Sequence, residues 1–137
     1  MRGIFFCYIA SLGLLGCVTP VTQVLITKFS EIQTSAPNAA GIWTTSIGPQ
    51  ISTIKIDKDG FGLICEDTSG YVVINKIKYS HNFIYVQNGM ALDVKRLDDN
   101  LLEARTALSA SNLNMIYKAN NDLKAVSIKC AKALRHN

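Results

Sequence analysis

From Gly41 onward, apolar and polar residues alternate in short runs that end in turn residues, and a period of two marks half-buried strands. Ile42 to Ile47 leads into Gly48-Pro49, and Ser52 to Ile56 sets Ile54 and Ile56 against Thr53 and Lys55 before Lys58-Asp59-Gly60. Phe61 to Cys65 places Phe61, Leu63 and Cys65 on one face ahead of Asp67-Thr68-Ser69-Gly70. Tyr71 to Tyr79 is the longest strand candidate. After Ser80-His81-Asn82, Phe83 to Gln87 meets Asn88-Gly89, a strong hairpin signal, so Met90 to Leu97 is expected to pair back on it. Asp98-Asp99-Asn100 introduces Leu101 to Leu108, and a turn at Ser109 to Asn112 introduces Asn114 to Ala119. Turns this closely spaced predict an all-β fold, a small antiparallel meander of about eight strands closed as a barrel or packed as a sandwich.

The C-terminal segment fits two templates. Leu123, Val126, Cys130 and Leu134 lie on one helical face, whereas Val126, Ile128 and Cys130 alternate as in a strand. The tight Asn120-Asn121-Asp122 turn favours a hairpin return. Leu123 to Ile128 is therefore expected as a strand, and Lys129 to Arg135 as a short helical or irregular tail.

The pattern before Gly41 is different. Arg2 precedes an uncharged apolar run from Gly3 to Leu15, the build of a secretory signal. The run is too short to cross a membrane comfortably, which takes about 20 apolar residues. Between Val18 and Ala40 the chain is mostly Thr, Ser, Gln, Ala and Pro around one apolar patch, Val24-Leu25-Ile26. The patch through Phe29 suits an edge strand or a short helix, and residues 34–40 read as a linker.

The junction Leu14-Leu15-Gly16-Cys17 resembles the bacterial lipobox, in which small residues precede a cysteine that receives lipid. The resemblance implies cleavage after Gly16 and lipidation of Cys17 with several acyl chains, which hold together where one alone holds marginally. Val18, in place of an Asp, implies by the same resemblance sorting to the outer membrane with a periplasm-facing domain. The expected organisation is a signal peptide over 1–16, a lipidated N-terminus and linker over 17–40, and a single β-domain over 41–137.

Charge narrows the partners. The chain has 14 Lys and Arg against 10 Asp and Glu, and loss of Arg2 with the signal leaves a surplus of three. No Lys/Arg cluster of the kind that reads phosphates is present, so no nucleic-acid partner is expected. Lys76 with Lys78, and Lys129 with Lys132, read as solvated faces. Of the four cysteines, Cys7 leaves with the signal and Cys17 takes lipid. Cys65 and Cys130 then remain as a pair in an oxidising compartment and are expected to form a disulfide. A closed loop of about 65 residues would stabilise the fold by roughly 4 kcal/mol.

No catalytic constellation stands out, and neither a metal nor a cofactor is expected. Asp57-Lys58-Asp59-Gly60 opens like a calcium loop, but the twelfth position is Thr68 instead of Glu, which favours a plain turn. His81 and His136 have no partners at ligand spacing. Glu66 and Asp67 are adjacent, so on a strand they point to opposite faces. Trp43, Tyr71, Tyr79, Tyr85 and Tyr117 suit core filling or, alternatively, the walls of a ligand pocket.

Two further resemblances frame the function. Cys65 followed by Gly70, Ser109-Ala110-Ser111 ahead of Tyr117, and a terminal Cys130 are similar to features of the membrane-bound lysozyme-inhibitor barrels. That resemblance implies a host-protein partner with Ser109 and Ser111 entering its cleft, although Asn112 stands where the family loop has Gly and a later Trp-containing strand is missing. Gly41-Ile42-Trp43 resembles the Gly-x-Trp that opens the first strand of lipocalins, implying a small-ligand carrier with Trp43 near the site. The leading expectation is a non-enzymatic lipoprotein, held to the membrane by lipid, whose β-domain binds or scaffolds another envelope component, with an envelope or host protein as the partner.

Overall fold

The structure, a computed structural model, describes residues 28–107 and 113–136. Its strands are β1 (Gly41–Ile47), β2 (Gln50–Ile56), β3 (Phe61–Thr68), β4 (Tyr71–Ser80), β5 (Phe83–Val86), β6 (Ala91–Leu97), β7 (Leu101–Thr106) and β8 (Met115–Ala119). Each pairs antiparallel with the next, and β8 returns to β1 through Trp43↔Ala119 and Thr44↔Lys118, closing an eight-stranded meander barrel. A helix, α1 (Ile128–His136), follows, and a single 3-10 turn (Phe29–Glu31) precedes. The expected all-β meander with a short helical tail is the fold observed.

Glycine sets two of the hairpins. Asp57 N–H donates to Phe61 O at 2.8 Å and Gly60 N–H to Asp57 O at 3.0 Å; Val86, Gly89 and Met90 repeat the arrangement at 2.8 and 2.9 Å. In both, the glycine takes a positive φ, 87° at Gly60 and 95° at Gly89, a region that costs side-chain-bearing residues strain. β3 runs past its expected end at Cys65 because Glu66 and Asp67 still pair with Val73 and Val72.

Inward positions of the strands make one core. Trp43, Ile54, Ile64, Ile84, Leu92 and Leu102 are buried in it. Tyr79 and Tyr117 join them, so most of the aromatic set fills the barrel. Pleat alternation puts Thr53, Leu63, Cys65 and Asp67 on the outside, where α1 packs against Leu63 and Cys65.

The strand expected over Leu123 to Ile128 is absent, and this is a correction. Leu123 sits at φ 60° in a turn whose N–H bonds Asn120 O at 3.0 Å. β8 already pairs with β1, so the closed barrel offers a returning strand no free edge there. The side chains of the Asn pair fasten the turn to β1 instead: Asn121 Oδ1 accepts from Ile42 N at 3.0 Å, and Asn120 Nδ2 donates to Thr44 Oγ1 at 3.0 Å. The apolar residues then bury at helical spacing. Leu123, Cys130, Ala131 and Leu134 form a second cluster with Cys65, flanked by Ile42, Leu63, Val72 and Val126. Ser127 caps α1, accepting from Cys130 N at 3.3 Å, and Lys55 Nζ donates to Leu134 O in its last turn at 3.1 Å. The disulfide Cys65–Cys130 joins β3 to α1.

Residues 34–40, read from composition as a linker, lie along the barrel. Ser35 N donates to Tyr79 O at 3.0 Å, Ser35 Oγ accepts from His81 N at 2.9 Å, and Ala39 is buried in the main core. A Cβ on Gly60 would come within 2.5 Å of Ser35 O, so the glycine also makes room for this strap.

Candidate functional site

A meander places alternate turns at opposite ends, and the two ends of this barrel differ. The strap closes one. There Trp43 Nε1 donates to Asp98 O at 3.1 Å, and Asp98 Oδ1 accepts from Asn100 and Leu101 N–H at 2.9 and 2.8 Å. Trp43, a candidate binding residue by sequence, is 1% exposed and plugs this end.

The other end carries the inward polar groups. Ser52 Oγ and Tyr117 Oη lie 3.2 Å apart in a hydrogen bond. Burial pushes the Glu66 carboxyl above its ordinary value. Burial also raises the Tyr117 hydroxyl; the Ser52 hydrogen bond opposes this and the Glu66 charge adds to it. Asp67 faces outward, as adjacency on a strand requires. The Ser127 hydroxyl, the Gly70 N–H and the Lys129 charge hold it below the usual carboxylate range. It thereby links the β3–β4 turn to the start of α1, a structural task. His81 lies in the β4–β5 turn, and among the described residues no group of His, Cys, Asp and Glu is placed to hold a metal ion.

A concave surface lies outside the barrel. A groove of about 810 Å³ runs over β3 and β4, lined by Phe29, Phe61, Leu63, Ile74, Lys76 and Lys78 among others. Lys78 Nζ donates to Phe29 O at 2.8 Å and stands over the Phe29 ring at 4.8 Å and the Phe61 ring at 5.9 Å. The groove therefore has apolar walls, two ammonium groups (Lys76 and Lys78) and one carboxylate (Asp57), a chemistry suited to an apolar segment that brings negative charge to the lysines. A smaller hollow of about 390 Å³ lies beside β1 and β8, against Ile116, Lys118 and Ala125.

Composition pointed to none of these groove residues as a site, since Lys76 and Lys78 read as a solvated face and Phe29 as part of an undecided patch. The sequence signal that was available is the contrast between a long β4 and a short β5. Cys17, Ser109 and Ser111 lie outside the described residues.

A family model described as "Bacterial lipocalin LPS transport optimiser YedD" matches residues 26–134. The chain belongs to the YedD family. A solved YedD lipoprotein, from Klebsiella pneumoniae subsp. pneumoniae MGH 78578, is similar at 16% identity with a TM-score of 0.55, covering 78% of this chain and 92% of that one. At that identity the likeness shows the fold alone. No curated protein sequence matches. YedD membership makes the chain one of a bacterial lipoprotein family with a lipocalin-like barrel, and neither match is to a lysozyme inhibitor.

Proposed function

We propose that the protein is a non-enzymatic lipoprotein of the bacterial envelope that assists LPS transport by binding another envelope component on the outside of its barrel. The transport role comes from the family description. The observation that supports outside binding is the packing of the interior: Trp43, Ile54, Ile64, Ile84, Leu92 and Leu102 are buried in one continuous core, while the large groove lies on the outer face of β3 and β4. The side chains of an eight-stranded barrel can fill its interior, and a core packed this way favours binding on the outer surface. The tether belongs to the same proposal, with residues 1–16 removed, Cys17 lipidated and the domain held at the outer membrane, facing the periplasm.

The test is made in cells. Deletion is expected to slow the arrival of newly made LPS at the cell surface, and Cys17→Ser to behave like the deletion. Intact mass of the membrane-extracted protein should show residues 1–16 gone, acyl groups added and two hydrogens gained on reduction. An unlipidated mass, or a deletion with no effect on LPS, overturns the reading.

A second reading, a lipocalin-like carrier, is favoured by one observation, the Ser52–Tyr117 pair with Glu66 beside it inside the strap-free end of the barrel. Stoichiometric lipid in the purified protein would establish it in place of the first.

A further inference from the structure

β4 and β5 differ in length, and the difference leaves a strand edge that no strand covers among the described residues. β4 pairs with β3 from Tyr71 to Lys78, but with β5 only from Ile77 to Ser80. β5 ends at Val86, and the Asn88-Gly89 turn takes the chain away. The last bond between the two strands is Gln87 N–H to Lys76 O, at 3.0 Å. Beyond it, the β5 side of Tyr71–Asn75 faces no strand among the described residues.

Two hydrogen bonds show which way the backbone groups of β4 point. Tyr79 N–H bonds Gly60 O on the β3 side, and Lys76 O accepts from Gln87 on the β5 side. In an antiparallel strand, the N–H and C=O of one residue point the same way and alternate along the chain. Odd-numbered residues of β4 therefore face β3, and Val72 and Ile74 turn both donor and acceptor to the open side.

Exposed edges are normally blunted with charge, proline or brevity. This one is apolar. Tyr71 is 74% exposed, Val73 38% and Ile74 43%, and no Pro interrupts the run. The groove begins at the same place, with Ile74, Lys76 and Lys78 along one side. Neither lysine has a carboxylate partner among the described residues.

We infer that the Tyr71–Lys76 edge of β4 is a docking site for an extended segment of a partner protein, which adds to the barrel as a strand beside Val72 and Ile74. The backbone groups specify a strand, and the groove supplies the selectivity, since alternate side chains of an added strand reach pockets on one face. Lys76 and Lys78 outnumber Asp57 in the groove and favour acidic side chains beside them on that face. This rests on the proposed function and names the surface and the kind of partner.

The test places a photocrosslinking residue at Tyr71 of the full-length chain in cells, with Lys118 on β8 as the comparison position, and maps the captured segment by mass spectrometry. Ile74→Pro removes an edge donor, while Ile74→Ala trims the side chain and keeps it. Capture from position 71 of one defined protein segment is expected to fall about tenfold in Ile74→Pro and to persist in Ile74→Ala. Val72→Pro is expected to match Ile74→Pro. An intact Cys65–Cys130 disulfide checks the fold of each variant. Should the proline variants fail to fold, hydrogen exchange on the wild-type protein decides: with the captured partner bound, the Val72 and Ile74 amides become protected and the Val73 amide does not change. Undiminished capture in the proline variants, equal loss in Ile74→Ala, lipid adducts only, or capture of a second copy of this chain would overturn the edge. A partner that copurifies with the lipidated protein but is never captured from position 71 overturns the edge and leaves the proposed function standing; recovery of no partner by either route removes both.

Discussion

At one end of the barrel the chain crosses over its own strands. Ser35 of the strap bonds Tyr79 and His81, Gly60 bonds Tyr79 as well, and the Trp43 indole N–H bonds Asp98 O. At the other end the β3–β4 hairpin stands beyond its neighbour, Ser52, Tyr117 and Glu66 replace apolar side chains inside, and Ile47, Tyr71 and Val73 are exposed. One strand pattern thus makes two different ends, and the closed end supplies rigidity to the end that has surface to offer. Stability and binding are expected to separate along the barrel axis, as elements that meet partners are commonly drawn from the less stable parts of a fold.

The strongest test of that contrast is Trp43→Ala. Removing the plug deletes the largest fully buried side chain and leaves the Asp98 carbonyl without its donor. A loss of about 3–5 kcal/mol is expected, read as a lower midpoint in urea unfolding. A loss below about 1 kcal/mol would mean that the strap holds this end without the indole.

Gly60→Ala comes next. At φ 87°, with Ser35 O within 2.5 Å of the added methyl, the substitution strains the turn and pushes on the strap together. A loss of about 1–3 kcal/mol is expected, with faster amide exchange at Ser35, whose N–H donates to Tyr79 O, and at His81, whose N–H donates to Ser35 Oγ. Exchange rising equally throughout the barrel would show that the strap is not a separate unit.

Much of this architecture was legible in the sequence. The eight strands came from alternation and from turn residues with a definite mechanism, such as Gly60 and Gly89, and the Cys65–Cys130 bridge from counting. The failures share one cause. Leu123 to Ile128 was misread because alternation reports which residues are apolar and is silent on whether an edge remains to pair with; β8 meeting β1 removes that edge. The strap was misread because Ser35 and Ala39 are small and polar or weakly apolar, and their role depends on Tyr79 and His81, far along the chain. The open edge was half legible. Tyr71 to Tyr79 was visibly longer than Phe83 to Gln87, but only the register shows that Val72 and Ile74 are the residues left facing outward.

Glu66→Gln probes the open end from within, and the sign follows from its burial. The folded-state value of Glu66 lies above its ordinary value of 4.5. A raised carboxyl contributes stability that is present at low pH and is lost as pH rises through the folded value. At neutral pH the buried charge is therefore a cost, which Gln removes while keeping the size. The variant is expected to melt higher than the wild type at neutral pH, with the gap closing below 4.5. A variant that melts lower at every pH would mean that the ionised Glu66 holds a contact of its own.

The smallest expected effect on stability sharpens the comparison most. Tyr71 is exposed at the tip of the β3–β4 hairpin and contacts no core cluster, so Tyr71→Ala should change unfolding free energy by less than about 0.5 kcal/mol. An aromatic residue held out in water gains its value from what it meets there, since Tyr is among the residues that dominate interface energetics. The same variant is therefore expected to weaken partner capture by the lipidated protein while its melting curve overlays that of the wild type. Trp43→Ala gives the opposite pair of results at a temperature where the fold survives, with stability lost and the β4 edge still able to dock. If both substitutions instead moved stability and capture together, the two ends would be one cooperative unit, and the division of labour along the barrel axis would have to be abandoned.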